Sequence, residues 1–299
     1  MPFKAWLVVL GKLILGGIVF EIGVMLGGMA ATLLQLHAPT LPAGADMNTV
    51  PIYMMLTTPL YALALAVIAI GLSGNWLTRA AVLSAFGWIA YTLNTQLEAS
   101  IVSQYATGIP FALVLYIFPA ILCGATIAFL FRPGEAIPAR AAAQAFWAKH
   151  SSGGWAWRLL LAAVIFMPIY FIFGLMVIPF TGEYYRQSMF GLAMPTLEQL
   201  LPILLVRSVL FMLACLPIFM LWQKSDTSLF WRLGLALFLL VGFNLMLSST
   251  WLPLYVRVPH TLEILADEFV YAGALVLLLG KGEWLARKTQ SHMTRRTAH

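Results

Sequence analysis

Charge is what this sequence has least of. Only 9% of its 299 residues are Asp, Glu, Lys or Arg, whereas a soluble domain carries roughly a quarter. With 62% hydrophobic residues and a mean hydropathy of +0.91, the chain has lipid, not water, as its solvent. Cysteine is nearly missing too. Cys123 and Cys215 are the two present, both inside apolar stretches where a thiol behaves as a small buried hydrophobe, so they are silent on compartment and on disulfides. There is no P-loop, no dinucleotide glycine fingerprint and no paired-histidine pattern for haem, and no cofactor is expected.

What the chain does have is apolar length. A helix needs about 20 predominantly apolar residues to cross the roughly 30 Å hydrocarbon core. Eight such stretches occur, at 13–34, 53–73, 80–98, 109–131, 159–180, 200–222, 230–251 and 261–280. Backbone polar groups in lipid must be satisfied internally, by helices or by a closed barrel. The continuous runs exclude the barrel, whose strands would alternate with period two. The expected fold is therefore all-α: a polytopic integral membrane protein of about eight transmembrane helices. The first stretch is too long for the 7–15-residue core of a cleavable signal and carries Glu21 in its middle, so it reads as a retained span.

The net charge of +6 is explained by sidedness rather than by a nucleic-acid partner. With the N-terminus inside, fourteen of the seventeen basic residues fall in cytoplasmic segments: Lys4, Lys12, Arg79, Arg132, Arg140, Lys149, Arg158, Lys224, Arg232, Lys281, Arg287, Lys288, Arg295 and Arg296. Arg186 and Arg257 lie outside, and Arg207 lies within a span. This positive-inside bias predicts a cell-membrane protein with both termini cytoplasmic. Most tryptophans, Trp6, Trp76, Trp147, Trp155, Trp157, Trp222, Trp231 and Trp284 among them, fall at the same inner interface, as an aromatic belt does.

The sequence also matches itself at an offset of 151. Trp6 meets Trp157, Phe20 meets Phe171 and Gly23 meets Gly174, and Pro51-Ile52 meets Pro202-Ile203. One residue of drift then pairs Asn94 with Asn244. Four spans per unit leave both units in the same orientation, so the expectation is two parallel four-helix repeats. They would occupy 1–133 and 155–282, joined by a cytoplasmic linker at 134–154 and followed by a basic cytoplasmic tail at 283–299. Within the linker, Ala139 to Lys149 has the makings of a short interfacial helix with Phe146 and Trp147 at the headgroups. Pro119, Pro168 and Pro217 fall mid-span, where each removes a backbone donor and can kink its helix.

Ionisable groups inside spans cost about 2.5–3.5 kcal/mol at the helix centre on insertion scales, so each needs a reason. Arg207 sits about 10 Å from the outer face at 1.5 Å per residue, and Asp267 and Glu268 reach a similar depth from the same side. An ion pair between Arg207 and one of these acids is the simplest expectation. Glu21, about 20 Å deep by the same rise, shares a stripe with Gly17, Val24 and Gly28 that is expected to pack inside the bundle. Asn94 and Glu98 on the third span, and Asn244 and Ser248 on the seventh, complete a candidate polar cavity in the outer half. Glu98 is its weakest member, at the predicted interface. His260 and Glu263 begin a His-carboxylate face that continues to Asp267 and Tyr271; it offers a metal only one histidine, so further ligands would have to come from segments such as His37 or Asp46.

Gly71-Leu72-Ser73-Gly74 has the G-x-S-G form of rhomboid-type intramembrane proteases, but a serine nucleophile needs a base within reach. No histidine lies deep in a span, and the segment reads as an ordinary turn. The function class these features favour is a transporter or permease for a small solute or ion, in contact with the lipid bilayer. The alternatives are a membrane-embedded enzyme acting on a lipid or isoprenoid, and a non-catalytic membrane subunit or assembly factor. Oligomeric state is not readable.

Overall fold

The computed structural model describes residues 3–39, 46, 48–103, 108–133 and 137–282. The expected tail at 283–299, with its basic residues and Trp284, lies outside them. Among the described residues the chain is helical without strands. The helices are α1 (Phe3–Leu33), α2 (Thr49–Ala69), α3 (Trp76–Gly87), α4 (Asn94–Val102), α5 (Ile109–Leu115), α6 (Ile117–Leu130), α7 (Ala139–Trp147), α8 (Ser152–Val164), α9 (Phe166–Arg186), α10 (Leu197–Leu221), α11 (Asp226–Leu237), α12 (Asn244–Ser248) and α13 (Leu254–Leu279).

Among the described residues six helices are long and apolar enough to cross a membrane: Phe3–Leu33, Pro51–Ala69, Ile109–Leu130, Ser152–Arg186, Leu197–Leu221 and Asp226–Ser248. This is a multi-pass helical membrane protein. The stretches 80–98 and 261–280 are helical as well, but they carry the polar residues Asn94, Glu98, Glu263, Asp267 and Glu268 that lower their apolar character.

Local interruptions trace to identifiable residues. Proline at i cannot donate to the carbonyl at i−4. Pro119 leaves the Leu115 carbonyl without its helical donor, and the rod breaks at Tyr116 (φ −91°, ψ 1°) between α5 and α6. Pro168 acts likewise on Val164, and α8 gives way to α9 at Ile165. Pro217 lies inside α10, which runs on through it. Two further interruptions contain no proline. Six-residue π segments, Trp88–Leu93 and Phe238–Phe243, join α3 to α4 and α11 to α12. Each ends at an asparagine, Asn94 and Asn244, and the two segments are 150 residues apart.

The helices form two groups. In the first, α1 packs on α2 and α6, and α6 packs on α3; in the second, α9 and α11 pack on α13, and α8 packs on α10. Between the groups, α2 lies against α11 and α12 while α10 lies against α3 and α4. The loops after α2 and α10 meet reciprocally: the Ser73 amide donates to the Leu221 carbonyl (2.8 Å), and the Gln223 amide donates to the Gly71 carbonyl (3.0 Å). A Cβ at Gly71 would lie 2.1 Å from the Trp222 ring, so this approach requires glycine. The Ser73 hydroxyl donates to the same Leu221 carbonyl at 3.0 Å. The G-x-S-G serine is thus occupied in holding the two groups together.

At this end of the bundle the basic residues meet helix C-termini, whose last carbonyls have no intrahelical donor. Lys12 donates to the Leu130 carbonyl (2.7 Å), Arg158 to Leu278 (2.7 Å) and Arg232 to Val67 (3.0 Å). Buried Arg79 donates to Phe131. Each cation also sits favourably at the negative end of a helix dipole. The linker helix α7 forms where expected, but Phe146 is buried, stacked 4.5 Å from Trp155, instead of facing headgroups. Exposed Trp147 flanks the pair.

Candidate functional site

The end of the bundle opposite the basic residues holds the polar cluster. Arg207 is buried on α10, its side chain 3% exposed, and its Nη2 donates to Glu98 Oε2 at 2.8 Å. The partner is therefore Glu98 of α4, not the expected Asp267 or Glu268. Glu98, at 27% exposure, is no loop-edge carboxylate: α4 continues to Val102 and holds it beside α10. Tyr170 of α9 donates its hydroxyl to Glu98 Oε1 at 3.0 Å. The Arg207 guanidinium lies over the Phe166 and Tyr170 rings, 5.6 and 5.5 Å from their centroids. One arginine is thus paired with one carboxylate and flanked by two neighbouring aromatic rings, which favours a fixed ion.

Asp267 and Glu268 are nearly fully buried on α13, at 4% and 1% exposure. Asp267 Oδ1 and Glu268 Oε2 have no hydrogen-bond partner. Glu268 lies within electrostatic reach of Arg207 and Glu98, and Asp267 of those two plus Glu263. The cluster therefore holds four carboxyls against one guanidinium. Other buried polar atoms stand empty nearby in the same helices: the Tyr271 hydroxyl, the Ser208 hydroxyl next to Arg207, and both amide atoms of Asn94, one turn before Glu98. Buried polar atoms without partners cost free energy, and native folds keep few of them. The helices that carry the cluster thus hold a concentration of unmet hydrogen-bonding capacity.

Asn244 behaves differently: its Nδ2 donates to the Thr57 carbonyl at 3.4 Å, and Ser248 bonds back to the Asn244 carbonyl at 3.1 Å. The first bond serves the contact between α12 and α2; the second stays within α12. Glu21 is not brought into the cluster either. It is half-buried on α1, and its electrostatic neighbours are Tyr91 and Tyr116. The buried face of α1 runs through Gly16, Gly17, Phe20, Gly23, Gly27 and Ala31, so the expected stripe of Gly17, Glu21, Val24 and Gly28 forms its edge.

Closer to the bundle end, His260 Nδ1 contacts Glu263 Oε2 at 2.7 Å and its Nε2 contacts the Tyr185 hydroxyl at 3.1 Å. Both ring nitrogens are thereby engaged, which leaves the expected metal face without a free imidazole nitrogen. Among the described residues no group of three or more His, Cys, Asp or Glu side chains is arranged to hold a metal ion. Tyr271 lies on the face expected from the sequence, whereas Tyr170 and Tyr185 were not among the sequence candidates. Their only signal was a polar tip inside an apolar run.

Compared with protein-family models, with curated proteins and with solved structures, the chain matches none.

Proposed function

We propose that this protein is a membrane carrier for a small cationic solute, binding it at Asp267 and Glu268. The observation that carries this is the pair of buried carboxyls with unpartnered oxygens next to an arginine already neutralised by Glu98. An anionic solute would need a free cation, whereas the four-to-one excess of carboxyls suits a positively charged group. A carboxylate buried without a partner is expensive, and an ammonium ligand supplies the missing charge and donors. Asn94 and Tyr271 offer neutral contacts to the rest of the solute.

The carrier is taken as eight spans, two parallel four-helix repeats with the basic end cytoplasmic. Supporting the repeat are the reciprocal bonds between 71–73 and 221–223, which are related by the same 150-residue offset as the π segments. π turns recur at functional sites. That offset takes Thr57 to Arg207 and Tyr61 to Phe211, so the charged site replaces neutral residues of the other repeat. Supporting the orientation are the cations on the C-termini of α2, α6 and α13, the end that the charge bias makes cytoplasmic.

Uptake of radiolabelled methylammonium, choline and putrescine into proteoliposomes tests the assignment. The expected result is uptake of at least one amine above protein-free vesicles, reduced at least roughly 10-fold by Glu268→Gln or Asp267→Asn, one lost charge-assisted bond. No uptake of any of the three, or uptake unchanged in both variants, overturns it.

A further inference from the structure

We propose that protons reach the buried carboxyls along a single face of α13, with His260 as the port. The inference rests on Asp267 and Glu268 being the working carboxyls of the site. His260, Glu263, Asp267 and Tyr271 follow one another by three, four and four residues, which stacks them on one side of a helix. Exposure falls steadily along that stack. The His260 and Glu263 side chains are 18% and 9% exposed; Asp267 is 4% and Tyr271 0% exposed, and Glu268, next to Asp267 but off this face, is 1% exposed. The inner end is not a closed salt-bridge network: the Tyr271 hydroxyl, fully buried and without a partner, interacts with Glu268.

The outer contacts have the geometry of a relay. His260 joins the Tyr185 hydroxyl on Nε2 (3.1 Å) to Glu263 on Nδ1 (2.7 Å). A proton arriving at Nε2, from water or from a Tyr185 hydroxyl that is replenished by water, makes the ring cationic. Nδ1 then gives its proton to Glu263 Oε2, and the ring is neutral again. The Glu263 carboxyl passes the proton inward to Asp267, one helical turn on, by way of a water molecule that takes up one proton as it releases another, and recovers its charge. Each hop breaks one N–H or O–H bond and forms another. Opposite Glu263 on α9 stands Gly174, where a Cβ would lie 3.5 Å from Oε1; its absence leaves a methyl-sized gap beside the carboxylate. The other groups facing this line are Glu98 on α4, Tyr170 on α9, and Arg207 and Cys215 on α10. Arg207 and Glu98 hold each other, so the excess carboxyls of α13 are left to take up the proton.

The test is infrared spectroscopy of the protein in lipid nanodiscs after a rapid pH jump, following the C=O band of protonated carboxyls. Loss of intensity in Asp267→Asn and Glu268→Gln assigns the band. In His260→Ala and Glu263→Gln the band is expected to respond roughly 100-fold more slowly than in the wild type, with its final amplitude unchanged. Should His260→Ala fail to fold, Tyr185→Phe removes one hydroxyl from the same relay, and a slowing there supports the route. An unchanged rate in Glu263→Gln and in whichever of His260→Ala and Tyr185→Phe folds, or a band that ignores bath pH in the wild type, overturns it. Because no solute is present, slowed kinetics without amine uptake would remove the carrier assignment and keep the route. Amine uptake with unslowed kinetics would do the reverse.

Discussion

The two helical groups treat the same kind of space in opposite ways. In the first, the interior beside α1 is filled by Phe20, Tyr61, Tyr91 and Tyr116, with neighbouring ring centroids 4.5 to 6.3 Å apart. Gly23 and Gly27 bring α1 against backbone atoms of Pro119 and Leu115. In the second, Phe166, Phe211 and Tyr271 keep an aromatic layer, but Arg207, Glu98, Asp267 and Glu268 lie beside it and several polar atoms have no partner. The space beside α1 is finished by packing, whereas the space around Arg207 is left unsatisfied; within the first group, unpartnered buried polar atoms occur away from α1, on Arg79, Thr92 and Asn94. Stability that a packed interior would have supplied is withheld around Arg207, as the proposed binding site requires.

The comparison breaks most sharply at Arg207. Arg207→Met strands Glu98 in a largely buried position and is expected to destabilise the protein by about 3 kcal/mol. Thr57→Val, at the position 150 residues earlier, is expected to stay within about 1 kcal/mol. Thermal unfolding in detergent reads both, and equal losses would erase the contrast. Next in size are the glycines. A Cβ at Gly23 would lie 2.3 Å from the Pro119 Cα, against 3.5 Å from a flexible carboxylate at Gly174. Gly23→Ala is therefore expected to cost about 2 kcal/mol through overpacking. Gly174→Ala is expected to be neutral or to gain up to about 1 kcal/mol from helix propensity. Denaturant titration of the two variants settles the order.

A smaller effect has the opposite sign. Glu268→Met replaces an unpaired buried carboxyl by an apolar chain and is expected to raise Tm, by an amount worth about 1 kcal/mol, while abolishing amine uptake. A lowered Tm would mean that Glu268 holds the fold together. The smallest effect belongs to the basic end. Lys12→Met and Arg158→Met each lose a contact with a helix C-terminus, worth about 0.5 kcal/mol, and the loss should be similar in the two groups.

The apolar helices were legible because apolar length is a direct imprint of bilayer thickness, but their limits were less so: α1 starts at Phe3, ten residues ahead of the hydropathy limit, and α13 at Leu254, seven ahead. Arg207, Asp267 and Glu268 were legible because a charge in an apolar run is conspicuous. Which acid would pair with Arg207 was not. Hydropathy fades near residue 98, so Glu98 looked like an interface residue, yet α4 carries on to Val102. The π segments widen the turns ahead of Asn94 and Asn244 without any change of composition, so nothing in the hydropathy announces them. Asn94 and Asn244 were matched by sequence, but their roles diverged. Thr57 offers Asn244 a carbonyl, whereas both amide atoms of Asn94 remain without partners. Phe146 was misplaced because an aromatic in an amphipathic segment reads as an interface anchor until a neighbour such as Trp155 covers it.

Amine uptake measured side by side in Glu268→Gln and Glu21→Gln proteoliposomes tests the central claim most directly, since each variant neutralises one carboxyl within an apolar helix of one of the two groups. The account predicts that uptake falls at least roughly 10-fold in Glu268→Gln, one lost charge-assisted bond, and stays at the wild-type level in Glu21→Gln. Uptake that survives in Glu268→Gln and disappears in Glu21→Gln would contradict it and move the site to the tyrosine-lined half.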